Sequence, residues 1–263
     1  DVSYRHLLVI KGGNKELECT PPHDVPGTPY KKVLVKAGDS KAKETAELLN
    51  NLIEKSQEIL ADHPVNRKRR ENGKAIANSI WPWSPGYKPQ MPTLNDMFEI
   101  NKSAVISAVD LIQGIGVYAG MEVIYVEGAT GLYNTNYEGK AQAAMKALEH
   151  NDFVYLHIEA SDEAGHEGDV ELKTKTIEYL DNRVVKYILE ETKKMNEPVA
   201  IAILPDHPTP CALKTHTHDP VPFVIYKPGV EPDRVTRYDE FSVEDGSFGL
   251  LKGDEFMRTF LKS

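Results

Sequence analysis

The sequence predicts an α/β fold: a mostly parallel sheet with helices on both faces, preceded by a smaller α+β domain. Three observations carry that expectation. From about residue 104 onwards, short apolar runs alternate with helical patterns of ten or more residues, the mark of strand, helix, strand units. Two of those runs, VYLHIEAS ending at Ser161 and VAIAILP ending at Pro205, read as buried strands of a parallel sheet. Ahead of the alternation, SIWPWSPGYKPQMP from Ser79 to Pro92 breaks the composition and places a domain boundary, giving domains 1–90 and 91–263.

In the first domain, Tyr4 to Ile10 has a strand pattern closing on Gly12 and Gly13, and Glu16 to Lys31 is too rich in Pro for helix. A short strand is expected over 31–36, then Asp39 and Ser40 as N-cap residues for a helix over about 41–60. Asp62-His63-Pro64 ends that helix, and NRKRRENGK from Asn66 to Lys74 reads as a basic turn that is either solvated or anion-binding. In the second domain, strands are expected over 104–107, 122–126, from 153 and 199, and over 221–226. Helices are expected over about 110–119, 137–150 and 249–261, with a long one from about Asp169. In this long helix Leu172, Ile177, Leu180, Val184 and Ile188 share one face, which makes it core.

Composition narrows the classes of function. The 263 residues are 40% hydrophobic and 27% charged, with a net charge of −9 and no long run of one sign. That balance speaks against nucleic-acid and membrane surfaces and suits an enzyme of the cytoplasm. Two distant cysteines, Cys19 and Cys211, form neither a disulfide framework nor a thiolate cluster. Oligomeric state is not legible.

The chemistry concentrates between Val154 and Pro222. A strand, helix, strand succession sends the loop after 161 and the loop after 205 to the same carboxyl edge of the sheet. The first carries Asp162 and His166, four residues apart on a glycine-containing turn. The second carries Asp206 and His207, then His216 and His218. Each pair alone also suits a plain capped turn. Jointly they supply the oxygen and imidazole donors that Zn²⁺ or Mn²⁺ takes. His157 alternates with apolar residues and reads as a core or supporting histidine.

Several segments together resemble the archaeal-type cofactor-independent phosphoglycerate mutases of the alkaline phosphatase superfamily. These are SDEAGHEGDVELK, DHPTPCALKTHTHDPVPF, VEGATGLYNTNYEGKAQAA, HPVNRKRRENGKAIAN, IWPWSPG, SYRHLLVI and TPPHDVPG. The resemblance spans essentially the whole chain, and a close subgroup has been labelled as proposed homoserine kinases. It implies an alkaline-phosphatase-like core over 91–263 and a substrate-binding lid over 1–90. It also implies two divalent ions, Mn or Zn, with Asp162, His166 and His216 on one and Asp206 and His207 as part of the other. His216 is preferred to His218 because the family pattern is His-Thr-x-x-Pro-Val-Pro. Arg5, Asp24 and Arg69 fall at positions expected to hold a small phosphorylated substrate. The nucleophilic serine and a further metal-binding Asp belong, in that family, upstream of SYRH. The chain is therefore expected to be part of a longer protein and inactive alone, with one ion bindable here.

The activity implied for the whole protein is interconversion of 3-phosphoglycerate and 2-phosphoglycerate through a phosphoserine. The alternative is a phosphotransferase or phosphatase acting on another small hydroxyl compound. One departure is Gln113 in VDLIQG, where many relatives have lysine.

Overall fold

The computed structural model describes residues 6–262. The chain divides into two compact units, Asp1–Pro89 and Gln90–Ser263. In the first, β1 (Leu17–Glu18) pairs antiparallel with β2 (Lys36–Ala37), followed by α1 (Lys43–Ala61) and α2 (Pro64–Glu71). Asp39 opens the helical stretch by accepting from the amides of Lys41 and Ala42. Ala46, Leu49 and Ile53 on one face of α1 pack with Val35 into the core of the unit, while Ile59 stays exposed.

Three expectations for this unit need correction. Residues 6–10 form no strand, and Leu7 and Val9 are exposed, because no described strand pairs with them. The 31–36 strand shrinks to a 3₁₀ turn and the two residues of β2, because Asn50 takes the place of a ladder partner for Val35, accepting from its N–H and donating to its carbonyl. The basic stretch is a helix and not a turn. Pro64 starts α2 at a position where its missing N–H costs nothing, and His63 caps the amide of Val65.

The second unit contains α3 (Leu94–Phe98), β3 (Ser103–Ile106), α4 (Asp110–Tyr118), β4 (Glu122–Val123), α5 (Tyr137–Leu148), β5 (Phe153–Leu156), α6 (Ala160–Glu167), α7 (Val170–Tyr179), α8 (Lys186–Thr192), β6 (Ile201–Ile203), β7 (Val224–Tyr226) and α9 (Glu255–Leu261). β4, β3 and β5 form a parallel sheet with β3, wholly buried, in the middle. Residues in register point to the same side and alternate along a strand, so Val105 with Tyr155 faces one way and Ile106 with Leu156 the other. α4 lies on the Val105 side through Gly116, and α5 lies on the Leu156 side through Tyr137 and Ala141. Helices therefore cover both faces.

The strand following the long helix does not join this sheet. β6 pairs antiparallel with β7 in a ribbon of its own, so among the described residues β5 and β6 each keep one unpaired edge. The long helical pattern is α7, a π turn over Leu180–Val185, and α8. The wider π turn shifts the phase of the helix, which is why Leu180, Val184 and Ile188 reach the core around Tyr137 while Ile177 is exposed. None of the described helices is long and apolar enough to cross a membrane.

Candidate metal centre

Asp162 and His166 lie on a helix, not on the turn that the sequence suggested. ASDEAGHE follows β5 as α6, ended by Gly168 in the left-handed conformation at its C-cap. In a helix a spacing of four residues puts both side chains on one face. Gly165 fits this helix for a different reason: a Cβ there would stand 2.4 Å from the carbonyl oxygen of Thr209, so only glycine lets α6 approach the second loop so closely.

That second loop leaves β6 at Asp206-His207 and folds back on itself. Turn hydrogen bonds from Leu213 and Lys214 to the Pro210 carbonyl, with Lys214 in the left-handed region, reverse the chain; Thr217 N–H then bonds the carbonyl of Pro208. The reversal brings His216 over His207, ring centroids 3.7 Å apart. The two loops meet by this folding and not by β5–β6 pairing.

Asp162, His166 and His216 lie close together, one carboxylate oxygen of Asp162 near each imidazole. Asp162 Oδ2 is 3.3 Å from His166 Nε2, Asp162 Oδ1 is 3.3 Å from His216 Nε2, and the two Nε2 atoms are 3.0 Å apart. A tetrahedral ion about 2.0–2.1 Å from such donors spaces them about 3.3 Å apart, and each of these pairs lies near that spacing, with one carboxylate oxygen of Asp162 toward each ring. The tautomer agrees. His166 Nδ1 is 3.1 Å from the carbonyl of Lys214, which only accepts, so the ring proton sits on Nδ1 and the lone pair of Nε2 faces Asp162 and His216. Between His166 and Asp162 acceptor therefore faces acceptor, an arrangement that a cation makes favourable. The carboxylate is the buried member, with a side chain 17% exposed against 48% for His216, which leaves the imidazole side open to further ligands.

His207 lies close by, its Nδ1 3.8 Å from Asp162 Oδ1 and its Nε2 3.5 Å from Asp206 Oδ2. Asp162, His207 and His216 offer donor atoms all within 4.8 Å of one another, and so do Glu159, Asp162 and Glu163. Burial raises the pKa of Glu159, and the negative charges of Asp162, Asp206 and Glu163 push it further up. A divalent cation relieves that crowding. His218 is exposed and stands outside these groups.

Beneath the site lies a buried polar layer. His157 Nδ1 meets the Ser107 hydroxyl at 3.1 Å and its Nε2 lies 3.2 Å from Glu159 Oε2, while burial holds its pKa down. Lys140, 1% exposed, reaches from α5 to the carbonyls of His157 at 3.3 Å and Thr130 at 3.5 Å. Burial lowers its pKa to about 8. Gln113 donates to the Ser107 carbonyl. Sequence reasoning missed Glu159, Lys140, Thr209, and Lys173, which donates to the Thr209 carbonyl; the hint for Thr209 was its place in HPTPC, two residues after His207.

The proposed substrate residues belong to the first unit. Asp24 is exposed at the end of a 3₁₀ turn, and Arg69 in α2 donates Nε to the carbonyl of Ala75 at 2.6 Å. Arg5 lies outside the described residues.

Comparison with known proteins fits this geometry. The family model described as the Metalloenzyme superfamily matches residues 29–263. A 2,3-bisphosphoglycerate-independent phosphoglycerate mutase of Methanosarcina mazei is 50% identical over all of this chain and 65% of its own length. A protein of Geobacter sulfurreducens described as a probable enzyme of that kind is 48% identical over 97% of this chain and 62% of its own. Among solved structures, a Pyrococcus horikoshii protein, 36% identical, superposes with a TM-score of 0.77 over 85% of this chain and 58% of its own. A cofactor-independent phosphoglycerate mutase of Thermoplasma acidophilum, 28% identical, gives 0.57 over 89% and 55%. The chain thus spans roughly two-thirds or less of the length of the proteins it matches.

Proposed function

We propose a function from one premise: this chain belongs to the Metalloenzyme superfamily. In a protein of its relatives' length its part would be to hold divalent metal for phosphoryl transfer between the two hydroxyls of phosphoglycerate, as the names of those relatives suggest. The observation that carries this reading is the close set of Asp162, His166 and His216, each pair 3.0–3.3 Å apart through one or the other carboxylate oxygen, with the lone pair of His166 turned toward the other two. These three residues would hold one ion, and Asp206 and His207 would supply part of a second. Oxygen and imidazole donors fit Mn²⁺ or Zn²⁺. Bound, the ions would neutralise charge on the transferred phosphoryl group.

The remaining residues are assigned supporting work. His157, Ser107 and Lys140 fix the strand ends from which Glu159 and α6 depart. Asp24, Arg69 and Arg5 are proposed to bind the substrate, their unit acting as a lid that keeps water from a phosphoserine and so favours mutase over phosphatase chemistry. A coupled assay on the full-length gene product tests the reading. Conversion of 3-phosphoglycerate to 2-phosphoglycerate with Mn²⁺ and without bisphosphoglycerate is expected. Release of inorganic phosphate alone, or transfer only to another hydroxyl compound such as homoserine, would contradict it.

A further inference from the structure

We infer that Thr209, anchored by Lys173, is a positioning residue for the metal centre, setting the carboxylate of Asp162 and the ring tautomer of His207 at once. The inference rests on the metal-binding reading and concerns residues that reading leaves unassigned.

The hydroxyl of Thr209, 3% exposed, lies 2.5 Å from Asp162 Oδ1 and 3.3 Å from His207 Nδ1. It has one proton to give. A carboxylate only accepts, so the proton goes to Asp162, and toward His207 the oxygen must accept. The ring proton of His207 is thereby held on Nδ1, leaving the lone pair of Nε2 directed toward Asp206 Oδ2, 3.5 Å away. One side chain thus orients a ligand of the proposed first ion and fixes the donor atom for the second.

The backbone of Thr209 is immobilised to suit. Proline stands on both sides of it, Pro208 and Pro210, which fixes φ at each flank. Lys173, from α7, donates Nζ to its carbonyl at 2.6 Å. The same carbonyl oxygen lies 2.4 Å from where a Cβ on residue 165 would stand, and Lys173 Nζ 2.9 Å from that position. Gly165, Lys173 and Thr209 are therefore one interlock, which sets the distance between α6, with Asp162 and His166, and the loop bearing His207. A hydroxyl placed only to fill its own hydrogen bonds would not need this support.

The test uses the whole 263-residue chain and Co²⁺, followed by calorimetry and by the visible absorption of the bound ion, with T209V, T209S, K173M and K173R. Loss of an outer partner of a ligand weakens metal binding about 10- to 100-fold. T209V is expected to lose that much affinity and to alter the Co²⁺ spectrum, T209S to recover to within about threefold of the parent, and K173M to change the spectrum with K173R restoring it. If the parent chain binds no Co²⁺, the metal-binding reading itself fails. If the parent binds and T209V matches it in affinity and spectrum, the positioning role is overturned while the metal reading stands. Should T209V not fold, as judged by circular dichroism, K173M decides: parental affinity and spectrum overturn the inference, and a weakened, altered site supports it.

Discussion

His166 and His216 meet Nε2 to Nε2 at 3.0 Å, and the carbonyl of Lys214 holds the proton of His166 on its far nitrogen. Two imidazole nitrogens can stay so close only by sharing a proton borne by His216 or by sharing a cation. In the metal-loaded chain, ¹⁵N spectra should therefore show His166 protonated at Nδ1 and both Nε2 resonances shifted by the ion. A H218A variant should leave these signals and the metal affinity unchanged, because His218 lies outside the cluster. A spectrum with His166 protonated at Nε2 would contradict the assignment.

Lys140 should make stability depend on pH. Its folded pKa, about 8, lies below the 10.5 of a free lysine. Between those values the unfolded chain binds more protons than the folded one, so stability rises as pH increases from about 8 to about 10.5. At about 1.4 kcal/mol per pKa unit the gain is on the order of 3 kcal/mol. Below pH 8 Lys140 adds no slope. Urea midpoints of the parent and of K140M across this window isolate the effect, since other titrating groups cancel in the difference. Equal slopes would mean that Lys140 is not buried as described.

Gly116 and Val105 make a local test of how α4 sits on the sheet. A Cβ at 116 would stand 2.5 Å from Val105 Cγ1. Alanine is favoured over glycine within a helix by about 1 kcal/mol, yet overpacking a filled core costs about 1–3 kcal/mol. We expect the clash to win and G116A to lower stability. V105A in the same chain should recover part of the loss, because it removes the atom that is struck. Independent, additive losses in the double variant would show that the contact is absent.

Much of this architecture was legible in the sequence, and the errors have physical causes. β3, α4, α5 and β5 of the second unit fall close to where alternation placed them, because β3 is buried on both faces and apolar at Ala104, Val105 and Ile106, whereas the strand expected over 122–126 keeps only Glu122–Val123 and the closing helix starts at Glu255. Pairing was not legible: β6 forms a ribbon with β7, and nothing in VAIAIL distinguishes that partner from β5. The Asp162–His166 segment was misread as a loop because Gly165 looks like a turn residue, whereas its use is close contact with Thr209. Leu7 to Ile10 has a strand pattern but no partner among the described residues, and pattern alone does not supply one. Lys140 went unnoticed because its burial depends on the loop around Thr130 and the end of β5, which no local window reveals.

Ligand counting sets the activity expected of residues 1–263 alone. Three protein donors suffice for one ion completed by water, whereas Asp206 and His207 leave a second ion short of ligands and of negative charge. On the proposed reading, residues 1–263 are expected to show no phosphoglycerate mutase activity with excess Mn²⁺. Full activity from the 263-residue chain, with its mass verified, would mean that the nucleophile and a complete second site lie within it.

The most direct measurement is titration of Zn²⁺ or Mn²⁺ into the purified 263-residue chain by calorimetry, alongside D162N, H166A and H216A. One ion held firmly by the parent is the expected result. Each variant should lose at least about 100-fold in affinity, more than the loss typical of an outer partner. A parent chain that binds no divalent ion, or one whose binding survives all three substitutions, would contradict the assignment of Asp162, His166 and His216.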